Sequence, residues 1–213
     1  MALVGEEDIM AELTITTFLS LDGVMQAPGM PEEDPSGGFL QGGWVVPHAD
    51  ADMGKIMNEI FSKAGAFLLG RTTYDIFAAY WPRISDPNNL IAVKLNSLPK
   101  YVASNTRSTF TWHNTSHVRD VEKEAIELKK RFGHEVQVHG SCGLAQTLIA
   151  KDLVDEYRLL TFPVILGAGK RLFGSGAVPR TLKLVSSTTT STGVLVSVYR
   201  PAGTLKTGSF ARD

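Results

Sequence analysis

Cysteine is nearly absent from this sequence, no long apolar run occurs, and neither sign of charge is in excess. Cys142 is the only cysteine among 213 residues, which excludes an intrachain disulfide and a structural zinc site built on cysteines. No uninterrupted apolar run approaches the roughly 20 residues that span a bilayer, so we expect no membrane partner. With 21 Lys+Arg against 22 Asp+Glu, the net charge of −1 gives no electrostatic reason to expect nucleic acid as a partner.

The residues that are present fit a packed globular protein. Hydrophobic residues make up 43% of the chain and charged residues 20%, which suits one large domain with a buried core. The five histidines lack H-x-x-x-H spacing, so no metal site is predicted. The first residues lack the basic and apolar regions of a signal peptide, and we expect a cytoplasmic protein. We predict a loose N-terminus at 1–12, a single domain at 13–200 and a tail at 201–213.

Segments typical of strands and helices alternate along the middle of the chain. Runs rich in β-branched and apolar residues predict strands at 13–20, 66–69, 99–103, 135–139 and 157–166, followed by a hairpin within 182–200. Apolar residues at helical spacing predict helices at 52–64, from Gly70, at 116–132 and from Leu144. This order favours an α/β sandwich with a mainly parallel sheet and an antiparallel C-terminal edge. Between the first strand and the first helix, residues 28–43 form a long Gly/Pro/acidic loop, a kind that is usually functional or disordered.

Three turns that follow predicted strands carry glycine or hydroxyl residues. They are Gly70-Arg71-Thr72-Thr73, Ser104-Asn105-Thr106 and Gly140-Ser141-Cys142-Gly143. Free N–H groups at a helix start attract anions, and ligands of parallel sheets bind where the strands end. Taken together the turns predict a dinucleotide site, in which Arg71 and the nearby hydroxyls hold a third phosphate. Each turn alone is more often ordinary turn chemistry, and neither G-x-G-x-x-G nor a P-loop occurs.

Several segments have counterparts in a known group of proteins. They are Ser20–Gly23 (SLDG), Leu69–Tyr74 (LGRTTY), Val138–Ser141 (VHGS), Leu153–Glu156 (LVDE) and Phe162–Phe173 (FPVILGAGKRLF), in this order. In them the chain resembles the dihydrofolate-reductase-like superfamily, and within it the RibD C-terminal domain of riboflavin-biosynthesis reductases. The resemblance implies a three-layer sandwich and an NADPH-dependent reductase of a small pyrimidine-, pteridine- or ribityl-like substrate, such as 5-amino-6-(5-phosphoribosylamino)uracil. It also implies a homodimer, which we expect to form through the apolar strand at 157–166.

The resemblance assigns the three turns to NADPH. The turn that binds the cofactor phosphates is matched by Gly70, Arg71 and Thr73, and the loop beside the 2′-phosphate by Ser104 and Asn105. The turn under the pyrophosphate is matched by residues 140–143. The chain departs from the family at His139-Gly140-Ser141, where the riboflavin reductases usually carry Glu-Gly-Gly next to the substrate. This departure leaves the substrate open. We predict Trp44, His139 and Phe162 on the substrate side.

Two carboxylates are candidates for a catalytic role. Asp22 ends the first strand and is expected to face the nicotinamide and the substrate, although an aspartate before glycine is also an ordinary turn residue. Asp50 follows Trp44 and Pro47 in a weak match to the substrate-binding W-x-x-P-x-D of folate reductases, and a helix N-cap explains it equally well. His48 or His139 are alternative proton donors, and Lys170 and Arg171 are candidates for meeting a substrate phosphate.

Two other classes of function stay open. A non-catalytic nucleotide- or flavin-binding protein of the same fold is compatible with the departure at His139. A cysteine hydrolase is also possible in principle, because Cys142 lies at a predicted helix start, where a thiolate is stabilised. The sequence places no acid–histidine pair beside this thiol.

Overall fold

The computed structural model describes residues 10–175 and 177–210 as an eight-stranded sheet flanked by helices. The strand order in the sheet is β4-β3-β2-β5-β1-β6-β8-β7. The strands from β4 to β6 are parallel, and β8 and β7 run antiparallel to them as a hairpin. Their bounds are β1 Leu13–Ser20, β2 Ala64–Gly70, β3 Lys100–Ala103, β4 Thr115–Val118, β5 Glu135–Val138, β6 Glu156–Phe162, β7 Arg180–Thr189 and β8 Leu195–Thr204.

Helices cover both faces of this sheet. On one face α1 (Ala51–Ser62), α2 (Arg71–Tyr80) and α3 (Leu90–Ser97) share a core with side chains such as Phe67 and Phe162. On the other face α4 (Val121–Arg131) and α5 (Cys142–Ala150) pack on a second core. The predicted α/β sandwich with an antiparallel C-terminal edge is therefore confirmed. None of the described helices is long and apolar enough to cross a membrane.

The predicted helix at 116–132 and the predicted strand at 157–166 had the wrong bounds, and the strand β4 and the helix α3 were missed. Residues 116–132 do not form one helix, because Thr115–Val118 pairs with β3 and the helix begins only where the Asp120 side chain accepts the Lys123 N–H at 3.0 Å. The predicted strand at 157–166 ends at Phe162, since Pro163 has no N–H to continue the ladder. Helix α3 is too short for a clear apolar period, and Asn89 caps it.

The ordered structure extends beyond 13–200 at both described ends. The Ala11 N–H donates to the Lys129 carbonyl at 2.7 Å, and Glu12 forms an ion pair with Arg200 at 2.8 Å. Strand β8 continues to Thr204, into the predicted tail. The predicted loose N-terminus otherwise falls on residues 1–9, outside the described residues.

The strand expected to form a dimer contact lies inside the sheet. Strand β6 has β1 on one side and β8 on the other, and all its residues except Thr161 are buried. Within 156–162 it has no free surface for a partner, whereas Pro163 and Ile165 of the predicted segment are exposed, so the homodimer stays a prediction. The edge of the sheet at this end is β7, whose Leu184 and Val185 are about half exposed at 49% and 50%.

Candidate active site

The three turns predicted to bind phosphate meet at one edge of the sheet. Strands β3, β2 and β5 are neighbours and parallel, so their carboxyl ends lie side by side. A cavity of about 350 Å³ opens there. Eight of the predicted cofactor residues line this cavity: Gly70, Arg71, Thr72, Ser104, Asn105, Thr106, Ser141 and Gly143. The remaining three, Thr73, Gly140 and Cys142, line a second cavity that adjoins the first.

Two helices point uncapped N-termini at the smaller cavity. Gly70 is the N-cap of α2 and Ser141 that of α5, and neither makes a side-chain hydrogen bond to its helix. The first N–H groups of both helices are therefore available to an anion. A Cβ on Gly143 would meet no heavy atom within 4 Å, so the cavity has room above this backbone. The donors and the space fit the pyrophosphate of a dinucleotide.

Close packing between two of the turns shapes this cavity. The Gly70 N–H donates to the Gly140 carbonyl at 3.0 Å. A Cβ on Gly70 would lie 1.8 Å from Ser141 Oγ, and one on Gly140 would lie 2.6 Å from Thr73 Oγ1. Gly140 also has a φ of +132°, which side chains of L-residues rarely allow. Glycine is thus needed at both positions for the turns to approach.

Two arginines bring positive charge to the smaller cavity. Arg71 was predicted from sequence, and its Nη1 lies 2.9 Å from Asp75 Oδ2. Arg119 was missed, because it directly follows β4, which the sequence analysis had placed inside a helix. Among the described residues Arg119 forms no ion pair, so its charge is available to a ligand. Arg119 could have been recognised from its position directly after the parallel strand β4, had that strand been identified.

The second cavity is larger and mostly apolar. It has a volume of about 770 Å³ and shares Thr72, Ser141 and Gly143 with the first, so the two form one continuous groove. Its walls include the apolar side chains of Phe18, Met53, Met57, Phe61, Phe77 and Trp81. A dinucleotide that fills the smaller cavity can therefore extend its ring end into the larger one.

The long loop at 28–43 builds one wall of the larger cavity. Pro28, Gly29, Met30, Glu33 and Asp34 line it. The Gln26 side chain fixes the loop by donating from Nε2 to the carbonyls of Asp34 and Ser36, both at 2.9 Å. The sequence predicted a functional or disordered loop here, and it did not single out Glu33 and Asp34, the two of the loop's three acidic residues that line the cavity.

His139 lines the larger cavity as a neutral imidazole. Burial and, to a lesser extent, the Arg158 charge lower its pKa to about 3. The ring stacks on Phe61 at a centroid distance of 4.6 Å, and Nε2 lies 3.1 Å from Gln137 Oε1. Because the Gln137 amide nitrogen already donates to Ile60 and Glu135, its oxygen faces the histidine, so His139 donates from Nε2 and keeps Nδ1 as an acceptor. His139 is thus no cationic proton donor at neutral pH.

The lowered pKa of His139 makes the stability of the fold sensitive to acid. The pKa of the group is 6.5 before folding and about 3 after it, so the unfolded chain binds more protons between these values. The free energy of unfolding should fall by up to ~1.4 kcal/mol per pH unit as the pH drops below 6.5. Urea unfolding between pH 7 and pH 5 measures this slope. His139→Asn should flatten it, whereas His113→Asn, at an exposed position outside both cavities, should leave it unchanged; equal slopes in all three proteins would contradict the assignment.

Comparison with known proteins places the chain in a family. The sequence pattern of the RibD C-terminal domain family matches residues 11–196. The chain belongs to this family. A relative, the uncharacterized protein YyaP of Bacillus subtilis (strain 168), is 32% identical over 169 residues, which cover 76% of this chain and 88% of that protein. Members of the family are typically reductases that use a nicotinamide cofactor.

Solved structures confirm the dihydrofolate-reductase-like fold expected for a RibD C-terminal domain. A putative riboflavin biosynthesis protein from Shewanella sp. PV-4 matches with a TM-score of 0.64 and 19% identity, covering 90% of this chain and 99% of that one. A pyrimidine reductase-like protein from Corynebacterium diphtheriae matches with a TM-score of 0.59 and 12% identity, covering 90% of this chain and 92% of that one. The diaminohydroxyphosphoribosylaminopyrimidine deaminase/5-amino-6-(5-phosphoribosylamino)uracil reductase from Thermotoga maritima gives 0.60 and 16%; the match covers 91% of this chain and 57% of that longer protein.

In this RibD C-terminal domain, Asp22 holds a loop and lines neither cavity. Its carboxylate accepts from Ser20 Oγ at 2.6 Å and from the N–H groups of Leu166 and Gly167 at 3.1 and 2.9 Å. These hydrogen bonds, that of Ser20 foremost, lower the pKa of Asp22 to about 2. An ionised carboxylate with its oxygens engaged is a poor proton donor. The structure therefore assigns Asp22 to positioning the segment 166–171.

Asp50 is the N-cap of α1 rather than a substrate ligand. Its Oδ1 accepts the Met53 N–H at 2.8 Å, and Oδ2 accepts from Ser191 Oγ at 2.7 Å and from Thr192. The Met53 N–H is the main cause that lowers the pKa of Asp50 to about 2. Asp50 lines neither cavity, and the alternative that the sequence allowed, a helix cap, is the one observed.

Trp44 and Phe162 are core residues rather than substrate contacts. Phe162 has no exposed surface and packs edge-to-face on Phe18 at 5.6 Å and on Trp44 at 5.4 Å. The Trp44 indole N–H donates to the Gln26 carbonyl at 2.8 Å. Only Phe18 of these three rings lines the larger cavity, so the other two support it from behind. Of the three residues predicted on the substrate side, His139 alone lines the cavity.

The surroundings of Cys142 speak against a nucleophilic thiolate. Burial raises the pKa of the Cys142 thiol, and Sγ donates to the Arg171 carbonyl at 3.2 Å. The histidine nearest in sequence, His139, donates a hydrogen bond from Nε2 to Gln137.

The basic pair expected to meet a substrate phosphate is engaged inside the fold. Lys170 forms an ion pair with Asp34 at 2.6 Å, and Arg171 forms one with Asp22 at 3.3 Å.

Proposed function

We propose that this protein is an NADPH-dependent reductase of a small cyclic substrate. The observation that carries the proposal is the joined pair of cavities: two uncapped helix N-termini and two arginines line the first, and aromatic side chains line the second. The first offers donors for phosphates, and the second offers an apolar space for two stacked rings. Membership of a family of reductases supports the same assignment.

The residues divide the work of binding between the two cavities. The N–H groups at the starts of α2 and α5 hold the pyrophosphate, and Arg71, Arg119 and the hydroxyl of Thr106 hold the 2′-phosphate. The apolar walls exclude water from the ring end of the groove. Bound NADPH supplies a hydride to an electrophilic carbon of the substrate, while the adjoining nitrogen or oxygen takes up a proton.

Glu33 is the group in the larger cavity best suited to hold that proton. Burial raises its pKa, although Oε2 accepts the N–H groups of Gly29 and Met30, which act in the opposite direction. The other carboxylate there, Asp34, is committed to Lys170. Glu33 thus takes the role that the sequence analysis had given to Asp22 or Asp50.

Titration with NADPH and NADH tests the cofactor. We expect NADPH to bind at least tenfold more tightly than NADH, because a charge-assisted contact to the extra phosphate contributes ~1.5–3 kcal/mol. Arg71→Ala and Arg119→Ala should each weaken NADPH about tenfold and leave NADH little changed. Arg83→Ala, at an exposed position outside both cavities, is the matched control. Failure to bind NADPH, or equal affinity for both nucleotides in the unmodified protein, would refute the proposal.

One observation favours a second candidate, a nucleotide- or flavin-binding protein without turnover. At the position where the riboflavin reductases usually carry glutamate, this chain has the neutral His139. Stopped-flow measurement of the oxidation of bound NADPH across a panel of cyclic imines and ketones separates the two. No oxidation with any acceptor would favour the binding protein. The homodimer and the cytoplasmic location stay proposals, and light scattering tests the first.

A further inference from the structure

The carboxylate of Asp75 connects two segments that line the smaller cavity. Its Oδ2 lies 2.9 Å from Nη1 of Arg71, the first residue of α2, and its Oδ1 forms an ion pair with Nη2 of Arg107, in the loop that follows β3. Arg71 and the loop residues 104–106 belong to the lining of the cavity, whereas Asp75 does not. A residue behind the cavity therefore holds two parts of its wall.

Arg107 anchors the loop after β3 and does not itself face the cavity. Its guanidinium lies over the rings of Phe110 and Tyr74, at 4.9 and 5.4 Å from their centroids, and it lines neither cavity. Its backbone N–H donates to Ser104 Oγ at 3.0 Å. Because Tyr74 and Asp75 both belong to α2, this helix fixes the loop through Arg107.

Arg71 keeps most of its donors for a ligand while Asp75 holds it. A guanidinium has five N–H groups, and no described residue accepts from Nε or Nη2 of Arg71. An arginine at the first position of a helix opposes the helix dipole, and an arginine four residues before an aspartate is the less favourable order. Helix stability therefore does not explain this pair. What the pair does is to restrict the guanidinium, so less side-chain freedom is lost when a phosphate binds.

Asp75 acts on a phosphate in the smaller cavity in two opposite ways. Its negative charge repels the phosphate, while its contacts orient the groups that bind it. The side chains of Arg71, Asp75 and Arg107 are 46%, 38% and 38% exposed, so water and salt screen the repulsion. Hydrogen bonds from a guanidinium to a phosphate depend on geometry and are strong. The orienting effect should therefore be the larger one.

We propose that Asp75 is a positioning residue for the 2′-phosphate of the nucleotide and sets the preference for NADPH over NADH. It holds Arg71 directly, and it holds the loop 104–106 through Arg107. This inference rests on the proposed reductase function, since it assigns the smaller cavity to the phosphates of the nucleotide.

Asp75→Asn tests the proposal, because the amide keeps the size of the side chain but its single oxygen cannot serve both arginines as the carboxylate does. We expect the affinity for NADPH to fall about three- to tenfold and that for NADH to change by less than about twofold, with an unchanged melting temperature. Adenosine 2′,5′-bisphosphate, which lacks the nicotinamide, should show the same loss as NADPH. Asp75→Glu restores the carboxylate and should retain the preference for NADPH. Calorimetric titration measures all four affinities.

Three further variants show whether Asp75 acts through the arginines. Asp52→Asn removes a carboxylate of similar exposure, 46%, that pairs with Lys55 on α1 and lines neither cavity, so it should change neither affinity. Arg107→Lys keeps the charge but loses the planar fork, and it should weaken NADPH about threefold. In an Arg71→Ala background, Asp75→Asn should have a smaller effect than in the unmodified protein.

The outcomes separate this proposal from the proposed function. An Asp75→Asn protein that binds NADPH as tightly as the unmodified protein or more tightly would show that Asp75 only repels the phosphate, and equal losses for NADPH and NADH would show a general structural role. Either result overturns the positioning role and leaves the reductase proposal standing. If the unmodified protein itself binds both nucleotides equally, the proposed function fails and the role of Asp75 fails with it.

Discussion

Replacing Gly70 by alanine should abolish measurable cofactor binding and destabilise the protein. A Cβ at this buried position would lie 1.8 Å from Ser141 Oγ and 2.8 Å from Ser141 N, so the turn after β2 and the turn after β5 would have to separate. The two helix N-termini would then no longer converge on one pyrophosphate. We expect the affinity for NADPH to fall at least 100-fold and the free energy of unfolding to fall by ~1–3 kcal/mol, as for overpacking in a core.

Two further variants separate the local clash from a general effect of alanine. Gly54→Ala lies within α1, where a Cβ meets nothing within 4 Å, and it should stabilise the fold by up to ~1 kcal/mol without changing NADPH affinity. Adding Ser141→Gly to Gly70→Ala removes the hydroxyl that clashes and should restore part of the stability. Thermal unfolding and nucleotide titration measure both properties. A Gly70→Ala protein with unchanged melting temperature and affinity would show that the turns do not pack as described.

Replacing Arg158 by methionine should cost about 3–5 kcal/mol of stability, the range found when a buried ion pair loses one partner. Arg158 is 4% exposed. Its guanidinium contacts Glu135 through Nη1 at 2.8 Å and Nη2 at 2.6 Å, and Nε donates to Glu156 at 2.7 Å. Without the arginine, two carboxylates of low exposure lose their shared counter-charge. Urea unfolding at pH 7 measures the loss.

An exposed arginine of the same network provides the control. Arg200 also contacts Glu156, but its side chain is 45% exposed, so Arg200→Met should cost less than ~1 kcal/mol. Combining Arg158→Met with Glu135→Gln should recover part of the stability, because one unpaired charge is removed. The Arg158 charge also helps to lower the pKa of His139, which should rise in Arg158→Met. A loss near that of Arg200→Met would mean that the buried pair contributes little.

The meeting of the three turns at one cavity was predictable because its signals are local. Glycine and hydroxyl residues after three separate strands can be recognised in sequence, and parallel strands bring their carboxyl ends to one edge. Arg119 shows the limit of this reasoning. The four residues of β4 have little apolar character, so the sequence pattern did not separate this strand from the following helix. Arg119 therefore seemed to lie inside a helix and not at the carboxyl end of a strand.

Four of the residues predicted for the catalytic and substrate roles line neither cavity, for a different reason. Asp22, Asp50, Trp44 and Phe162 were chosen by residue type and position, yet each has a partner far away along the chain. Asp50 meets Thr192, and Trp44 meets Phe162. The sequence does not distinguish a carboxylate or an aromatic ring that faces a ligand from one that contacts another residue inside the fold.

By itself the sequence determined the family, the α/β sandwich and the three turns, because strand patterns, glycines and helix starts depend on neighbouring residues. The tertiary structure alone decided which carboxylates are engaged inside the fold and which line a cavity. It also decided that β6 is interior and that Lys170 is neutralised. These properties depend on pairs of residues far apart along the chain, such as Asp34 and Lys170, which are 136 positions apart, and only the packed chain brings such pairs together.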